Sequence, residues 1–172
     1  MKPETYYLPD SGWCPNSPRL PLLIYHAALG GKGEELAQAF EKTFAANGWP
    51  PAWRYTIFDY PHYHSTTHEV IGVFRGNAEV RLGDEAGFTA KLSTGDVLII
   101  PAGVSHQRLA STEDFQGVGA YPEGFEPDEQ RPEKDDLEAS MQRIAKLAIP
   151  TADPLLGKSG PLIGLWSGGK SS

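Results

Sequence analysis

Three of the five histidines and a glutamate lie in one short stretch, at His62, His64, His68 and Glu69. On an extended strand successive side chains alternate faces, so His62 and His64 point to the same side. A short polar turn at 65–67 then lets the chain return antiparallel and brings Glu69 opposite that pair. Two imidazole nitrogens and one carboxylate oxygen around a single point are the outline of a metal site.

A further histidine, His106, follows a segment rich in glycine and proline. Gly95 gives a turn before the apolar run 97–100. Pro101 then ends the strand because it lacks an N–H, and Gly103 permits a bend that swings His106 inward. A third imidazole thereby reaches the same point from another strand. Three neutral nitrogens and a carboxylate suit Fe(II), Mn(II), Ni(II), Cu(II) or Zn(II), and leave a coordination position for water or substrate.

Histidines on strands are also ordinary core residues, and any single histidine here favours that interpretation. Four side chains that can bind a metal, placed in two motifs with the expected spacing, favour a metal site over packed core residues. His68 is the ambiguous member, because strand alternation turns it to the outer face, whereas a bulge at the turn would let it replace Glu69 or join as an extra ligand. His26 has no second ligand near it in the chain, and we interpret it as a partly buried structural residue.

Strand alternation also nominates residues of a substrate pocket. The side chain of Tyr60 points to the same side as those of the two nearby histidines unless Pro61 kinks the strand. The side chain of Arg108 points to the same side as that of His106. An inward arginine would bind a carboxylate or another anionic substrate through two parallel hydrogen bonds. Arg108 equally fits an ion-paired residue at the rim, so both interpretations stay open.

The elements that must position these residues are mostly strands. Short strands at even spacing without helices between them predict an antiparallel sandwich or barrel. Turn residues such as Gly76-Asn77 separate the strands. The predicted strands cover 20–25, 54–60, 62–64, 69–75, 79–82, 88–92, 97–100 and 107–110.

The remaining segments are predicted to surround this barrel. Residues 34–46 form an amphipathic helix, with Leu36, Phe40 and Phe44 on one stripe. A second helix begins at an aspartate cap at 135 or 136 and runs to about Lys146. We expect 1–19 to be an irregular arm, the acidic stretch 123–136 to be a solvated connection, and 161–166 to dock on the barrel exterior or across a dimer interface.

Composition limits the class of protein. The length of 172 residues fits one domain, and 40% hydrophobic with 22% charged residues is typical of a globular protein. A net charge of −7 without any Lys/Arg cluster argues against nucleic acid or an anionic membrane as partner. The polar start lacks a signal-peptide core, and no apolar run approaches the roughly 20 residues of a membrane span, so we expect a cytoplasmic protein. The lone Cys14 predicts a surface or interface cysteine rather than a disulfide.

The two motifs resemble those of the cupin superfamily. In the first motif, His62-x-His64 is followed after four intervening residues by Glu69 and after six more by Gly76. In the second, Gly95 is followed after five intervening residues by Pro101-x-Gly103-x-x-His106. The leading glycine of the first motif falls on Thr56, and the asparagine that often closes the second falls on Ala110. As a whole the chain is similar to a bacterial group of single-domain cupins of YjlB type.

The resemblance implies an all-β fold, the cupin double-stranded β-helix or jelly-roll barrel, with peripheral helices at both ends. We expect one cupin domain over 1–172, with an N-terminal arm, strand and helix in 1–53, the barrel in 54–120, and a helix and tail in 121–172. It also implies one divalent transition metal on His62, His64, Glu69 and His106, with Glu69 as the catalytic candidate.

We therefore expect a metal-dependent enzyme, of dioxygenase type in the first place, acting on a small organic substrate that is anionic if Arg108 binds it. Isomerase or decarboxylase chemistry is the near alternative. A noncatalytic module that senses or sequesters a small ligand is the alternative from another class. Cupins are often dimeric, and the apolar tail makes a homodimer plausible.

Overall fold

A computed structural model describes residues 1–168. Nine strands and three helices lie within that range. In chain order these are β1 (Glu4–Leu8), β2 (Ser17–Tyr25), α1 (Gly33–Ala46), β3 (Pro51–Tyr55), β4 (Glu69–Arg75), β5 (Asn77–Leu82), β6 (Phe88–Ser93), β7 (Val97–Ile100), β8 (His106–Ser111), β9 (Gln116–Ala120), α2 (Leu137–Ala145) and α3 (Pro161–Ser167).

The strands of this part of the chain form two sheets. The large sheet has the order β1-β2-β7-β4-β9-β3, and the small sheet has the order β6-β5-β8. Every pairing in the two sheets is antiparallel. The predicted all-β, two-sheet architecture with peripheral helices is confirmed.

Strand β4 runs through the middle of the large sheet and shows how its two faces are used. Ile71 and Val73 point into an inner core between the two sheets, where they join Val80 and Leu92 of the small sheet. Val70 and Phe74 point the other way, into an outer core that the helices cover. Because both faces of β4 are buried, it is an almost continuous apolar run rather than a polar and apolar alternation.

Helix α1 covers the outer face of the large sheet. Its buried stripe contains Leu36, Phe40 and Phe44, as the spacing predicts. The ring of Phe40 lies against Gly72 of β4, where an added Cβ would come within 2.7 Å of the ring. A glycine at this position of β4 therefore allows the helix to approach the sheet closely.

The other two helices follow the barrel in the chain. The side chain of Asp136 accepts a hydrogen bond from the Ala139 N–H at 3.1 Å and caps α2, as predicted. Helix α3 places Leu162 and Trp166 in the outer core, and the Trp166 indole N–H donates to the Pro21 carbonyl at 2.9 Å. The predicted docking of 161–166 on the barrel exterior is thus observed.

Several local predictions were wrong. The expected irregular arm at 1–19 contains β1 and the start of β2, because β1 pairs with β2 and its Tyr6 ring stacks on Phe88 at 4.0 Å. Cys14 is buried rather than exposed, and its Sγ lies 3.1 Å from the Asn16 amide oxygen.

The strand boundaries around the site also differ from the predictions. The expected strand 54–60 is β3 at Pro51–Tyr55, and residues 56–60 leave the sheet. The segment 62–64 is extended but makes only isolated bridges, from His62 to His106 and from Tyr63 to Gln130. Strand β9 was missed because its glycines weaken the apolar pattern. Within residues 1–168, no helix combines the length and the apolar character that a membrane span requires.

Candidate metal centre

Two short backbone hydrogen bonds bring the two histidine motifs together. The His106 N–H donates to the His62 carbonyl at 2.9 Å, and the His62 N–H donates to the His106 carbonyl at 3.3 Å. The two rings consequently lie 4.1 Å apart between centroids, and the ring of His64 lies 5.5 Å from that of His106. One ring nitrogen from each of the three histidines lies within 4.8 Å of the other two.

Glu69, the first residue of β4, completes the group. Its Oε2 lies 3.2 Å from His64 Nε2 and 3.3 Å from His106 Nε2. His62, Glu69 and His106 are buried, whereas the side chain of His64 keeps 11% of its surface exposed. All four side chains that the two motifs nominate therefore converge at one end of the inner core, and His64 faces the opening.

The second nitrogen of each ring contacts a backbone carbonyl. His62 Nδ1 lies 3.1 Å from the Tyr60 carbonyl oxygen, and His106 Nδ1 lies 3.0 Å from that of Val104. His64 Nδ1 contacts the Asp128 carbonyl. Because a carbonyl oxygen can only accept, each Nδ1 carries a proton, and a ring in its neutral form then presents a lone pair at Nε2. Metal-binding histidines are oriented in this way in proteins.

Burial and the Glu69 carboxylate determine the electrostatics of the group. Burial, together with the neighbouring His106, lowers the pKa of His62 to about 3 and keeps it neutral. Burial by itself raises the pKa of Glu69, but His64 and His106 outweigh it and hold that pKa well below its usual range. Burial likewise lowers the pKa of His64, whereas Glu69 shifts it upward on balance. Three imidazoles and one carboxylate form a donor set that can hold a divalent transition metal.

Gly103 fixes the approach of the second motif. Its φ is +94°, in the region that favours glycine, and its N–H donates to the His64 carbonyl at 2.8 Å. An added Cβ would lie 2.6 Å from the Asn16 carbonyl oxygen. The bend after Pro101 therefore ties the two motifs together directly.

Tyr121 and Trp53 form a hydrogen-bonded chain that ends on Glu69. The Trp53 indole N–H donates to the Tyr121 hydroxyl at 3.0 Å, and that hydroxyl donates to Glu69 Oε1 at 3.3 Å. Trp53 lies over Gly119, where an added Cβ would come within 1.9 Å of its ring. Sequence reasoning missed both aromatic residues, since nothing local marks them as partners of Glu69.

The acidic segment predicted to be a solvated connection instead closes one side of the site. The Asp128 carboxylate accepts from the Ser65 N–H at 2.7 Å and from the Thr66 N–H at 3.2 Å, while its carbonyl receives His64 Nδ1. Arg143 of α2 donates to the Ser65 hydroxyl at 2.7 Å. The prediction overlooked that the turn after His64 leaves backbone N–H groups that need an acceptor.

A cavity of about 530 Å³ opens onto the four converging side chains. Its walls come from β3 and the segment after it, from Tyr121 and from residues 127–129. The lining includes the aromatic residues Trp53, Tyr55 and Phe58. A cavity of this volume accommodates a small organic molecule.

Comparison with known proteins agrees with this arrangement. A family model described as a cupin domain matches residues 56–115, which contain both histidine motifs. The uncharacterized protein YjlB of Bacillus subtilis (strain 168) is 39% identical over 163 residues, covering 95% of this chain and 96% of that protein. The chain belongs to the cupin family, among proteins of YjlB type.

Solved structures similar to this cupin include seed globulins. Procruciferin, an 11S globulin from Brassica napus, has a TM-score of 0.34 at 25% identity over 38% of this chain and 19% of its own. The coconut allergen cocosin has a TM-score of 0.38 at 23% identity over 47% and 22%. The vicilin from Solanum melongena has a TM-score of 0.34 at 22% identity over 73% and 29%. The matched part of this cupin thus spans less than a third of each globulin chain.

The two predicted substrate contacts lie at the edge of the site in this cupin. The Tyr60 hydroxyl donates to Glu129 at 3.0 Å, and the Tyr60 ring stacks on Phe58 at 5.0 Å. Arg108 Nε donates to the Ile57 carbonyl at 2.9 Å, and its Nη1 lies 3.3 Å from the Ser111 hydroxyl. Contact of Tyr60 or Arg108 with a substrate stays a prediction.

His68 lies on the other side of the large sheet from Glu69. Its Nδ1 accepts a hydrogen bond from the Ala102 N–H at 2.9 Å, and its ring lies 4.7 Å from that of Trp166 in the outer core. Burial lowers its pKa to about 4, so the imidazole is neutral. The geometry matches the outer-face alternative for His68, and it leaves Glu69 beside the three histidines.

Proposed function

We propose that this cupin is a metal-dependent enzyme of dioxygenase type that acts on a small organic molecule. His62, His64, Glu69 and His106 would hold one divalent transition metal, whether Fe, Mn, Ni, Zn or Cu. The observation that carries the proposal is the direction of the three imidazoles. Each turns Nδ1 to a carbonyl, and His64 and His106 direct Nε2 toward the Glu69 carboxylate, which is the orientation that metal-binding histidines have.

A divalent metal with an open position supplies Lewis-acid or redox chemistry toward an oxygen atom of the substrate or toward O2. The chain supports that chemistry in three ways. Glu69 brings a negative charge that offsets part of the metal charge. Tyr121 donates to Oε1 of Glu69 and so fixes the direction of Oε2. The aromatic walls limit the access of water to the reacting groups.

Glu69 is also the side chain that we propose as the catalytic carboxylate. It is ionised by its histidine neighbours, and its Oε1 lies within hydrogen-bond distance of the Tyr121 hydroxyl. A carboxylate so placed could accept a proton from a substrate hydroxyl that enters the cavity. Metal-dependent isomerase or decarboxylase chemistry would use the same groups without O2.

The first experiment determines the metal and then the reaction. Elemental analysis of the purified protein is expected to give one equivalent of a transition metal. Oxygen consumption is then screened against catechols, small carboxylates and thiols, with uptake expected for at least one class. A protein that holds a redox-inert metal and shows no uptake would refute the dioxygenase type. That result would favour a noncatalytic module or chemistry without O2.

A matched pair of variants tests the site itself. His64→Ala is expected to lose the bound metal together with any uptake, because it removes one of four ligands. His68→Ala removes a buried imidazole from the other face and is expected to keep the metal. Equal metal content in both variants would contradict the proposed ligand set. A cytoplasmic location, a homodimer and the absence of nucleic acid as partner stay predictions.

A further inference from the structure

One wall of the cavity is built from aromatic side chains. Trp53 and Tyr55 are two residues apart on β3, so they share a face, and Phe58 follows them. Tyr55 and Phe58 meet edge to face at 6.5 Å, and Phe58 meets the ring of His62 in the same way at 5.3 Å. The aromatic wall therefore extends from the metal group to the mouth.

Two of these aromatic residues are exposed, although they are large and apolar. Tyr55 keeps 59% and Phe58 keeps 39% of its surface accessible. Exposed aromatic groups beside a concave site are typical of ligand contact, because a flat ligand covers them and buries apolar area on both partners. The wall thus favours a planar apolar ligand.

The charged side chains near the cavity are distributed unevenly. Arg54 is held on the α1 side by Glu34 at 2.7 Å and by Glu41, so its charge is already balanced. Arg108 donates to the Ile57 carbonyl. The carboxylates of Asp128 and Glu129, by contrast, belong to the cavity lining itself.

Arg131, the next cation along the chain, is also engaged. Its guanidinium lies 3.5 Å from the centre of the Tyr60 ring and 3.6 Å from Glu129. Among residues 1–168, the cavity lining contains no cation other than Arg54. Asp128, Glu129 and Arg131 together carry one net negative charge on this side of the cavity, and Arg108 lies outside the lining, so an anionic substituent away from the metal group would be repelled.

We infer that the cavity takes a planar, apolar substrate, an aromatic ring compound, whose end remote from the metal group is neutral or positively charged. This inference rests on the proposed function, because it assumes that the metal is bound at the end of the cavity formed by Glu69 and the three histidines. Negative charge on the substrate is confined to the atoms that would meet the metal. The predicted anion contact at Arg108 would require its guanidinium to leave the Ile57 carbonyl.

Three catechols of matched shape test the inference on protein loaded with zinc, which is redox-inert and prevents turnover. In 4-ethylcatechol, dopamine and 3,4-dihydroxyphenylacetate the diol is the same, and the remote substituent is neutral, cationic or anionic. Isothermal titration calorimetry is expected to give 3,4-dihydroxyphenylacetate an affinity about tenfold weaker than that of 4-ethylcatechol. Zinc content measured after each titration verifies that the catechol has not removed the metal.

Two variants separate the contribution of the wall from that of the charge. Phe58→Ala shortens the exposed wall and is expected to weaken all three ligands by a similar factor. Glu129→Lys brings a cation to the lining and is expected to improve 3,4-dihydroxyphenylacetate selectively, whereas Glu129→Gln gives a smaller gain.

The outcomes that overturn the inference are distinct from failure of the proposed function. If 3,4-dihydroxyphenylacetate binds as tightly as 4-ethylcatechol, the inference that the remote end of the substrate is neutral or positively charged is overturned. Zinc-loaded protein that binds none of the three overturns the aromatic substrate. Absence of stoichiometric zinc before any ligand is added overturns the proposed function, and this inference with it.

Discussion

Two kinds of histidine lie on opposite sides of the large sheet: three are grouped around Glu69, and His68 directly precedes Glu69 in the chain. Glu69 points inward, where His64 and His106 direct their Nε2 atoms toward its carboxylate. His68 points outward, where its Nδ1 accepts a backbone N–H and its ring packs on Trp166. His62, His106 and His68 are all buried. In both kinds Nδ1 contacts the backbone, and the difference is that this contact is a carbonyl for the inner histidines and an N–H for His68.

The comparison shows how a backbone can assign the role of an imidazole. A carbonyl at Nδ1 places a proton there, so that Nε2 is the nitrogen of the three inner histidines that could bind a metal. An N–H at Nδ1 uses that lone pair and places the proton on Nε2, as for His68. Of the two histidines that precede Glu69, His68 is adjacent to it and His64 lies five residues before it, yet only His64 directs Nε2 toward the carboxylate.

The largest expected effect separates the two faces by metal content. His106→Ala is expected to abolish stoichiometric metal binding, because it removes one of three nitrogens from the donor set. His68→Ala is expected to retain one equivalent while it loses about 1–3 kcal/mol of stability, since the Ala102 N–H becomes unsatisfied. Elemental analysis and denaturant unfolding of both variants provide the measurements. Metal retained in His106→Ala would refute the comparison.

The second prediction concerns the outer face alone. Trp166→Ala removes a fully buried indole from the outer core and is expected to cost about 3–5 kcal/mol of unfolding free energy. The folded fraction should keep its metal, because Trp166 contacts His68 and not the inner group. If the variant does not fold, Trp166→Phe gives a smaller loss with the same expected metal content. A selective loss of metal from folded Trp166→Phe would show that the two faces are coupled.

The third prediction compares one tyrosine from each face. Tyr121→Phe removes the hydroxyl that donates to Glu69 and is expected to weaken zinc affinity by about 10- to 100-fold. Tyr25→Phe removes the hydroxyl that donates to Asp153 at 2.7 Å in the outer part of the molecule. It is expected to lower stability by about 1–3 kcal/mol without a change in zinc affinity. Competition with a chromophoric zinc chelator measures the affinities. Equal zinc affinities in the two variants would contradict the role of Tyr121 in positioning Glu69.

The smallest effect concerns His26, a histidine on neither buried face. Burial lowers its pKa, but hydrogen bonds to Asp96 and Glu4 outweigh that effect and raise it on balance. The protonated His26 therefore stabilises the folded state fully below its unfolded-state pKa of about 6.5, and this stabilisation is lost as the pH rises through its folded-state pKa. The side chain is 48% exposed, so solvent screening limits the gain to less than about 1 kcal/mol.

Denaturant unfolding of wild type and His26→Gln at about pH 5 and about pH 9 tests this prediction. The variant should be less stable at the acidic pH and equal to wild type at the alkaline pH. A difference that is the same at both values would point to packing rather than to charge.

The sequence predicts those parts of the site that depend on the local backbone. The spacing of His62 and His64 gives their common side, and Gly103 gives the bend before His106. The amphipathic stripe at Leu36, Phe40 and Phe44 gives α1. These features follow from alternation, helical periodicity or turn chemistry within a few residues.

The parts that escaped prediction depend on distant partners. Tyr121 contacts Glu69 from just beyond the end of β9, a strand that was not predicted because of its glycines. Trp53 can be identified as a partner of Tyr121 only once β3 is known to lie beside Gly119. Asp128 lies in a segment whose acidity suggested solvent. Its role comes from the unpaired N–H groups of the turn after His64, which no composition or periodicity reveals.

The attachment of Asp128 to the turn after His64 has a consequence for the order of folding. Sixty-four residues separate His64 from the carbonyl that orients it, and 78 separate Ser65 from Arg143. Contacts of such separation form late, because the loop entropy must be lost before the contact is gained. On the ribosome, all four prospective ligands emerge before Asp128 does. The barrel strands can therefore pair before the Asp128 carbonyl is available to orient His64, and the proposed metal site would be completed only by the later part of the chain.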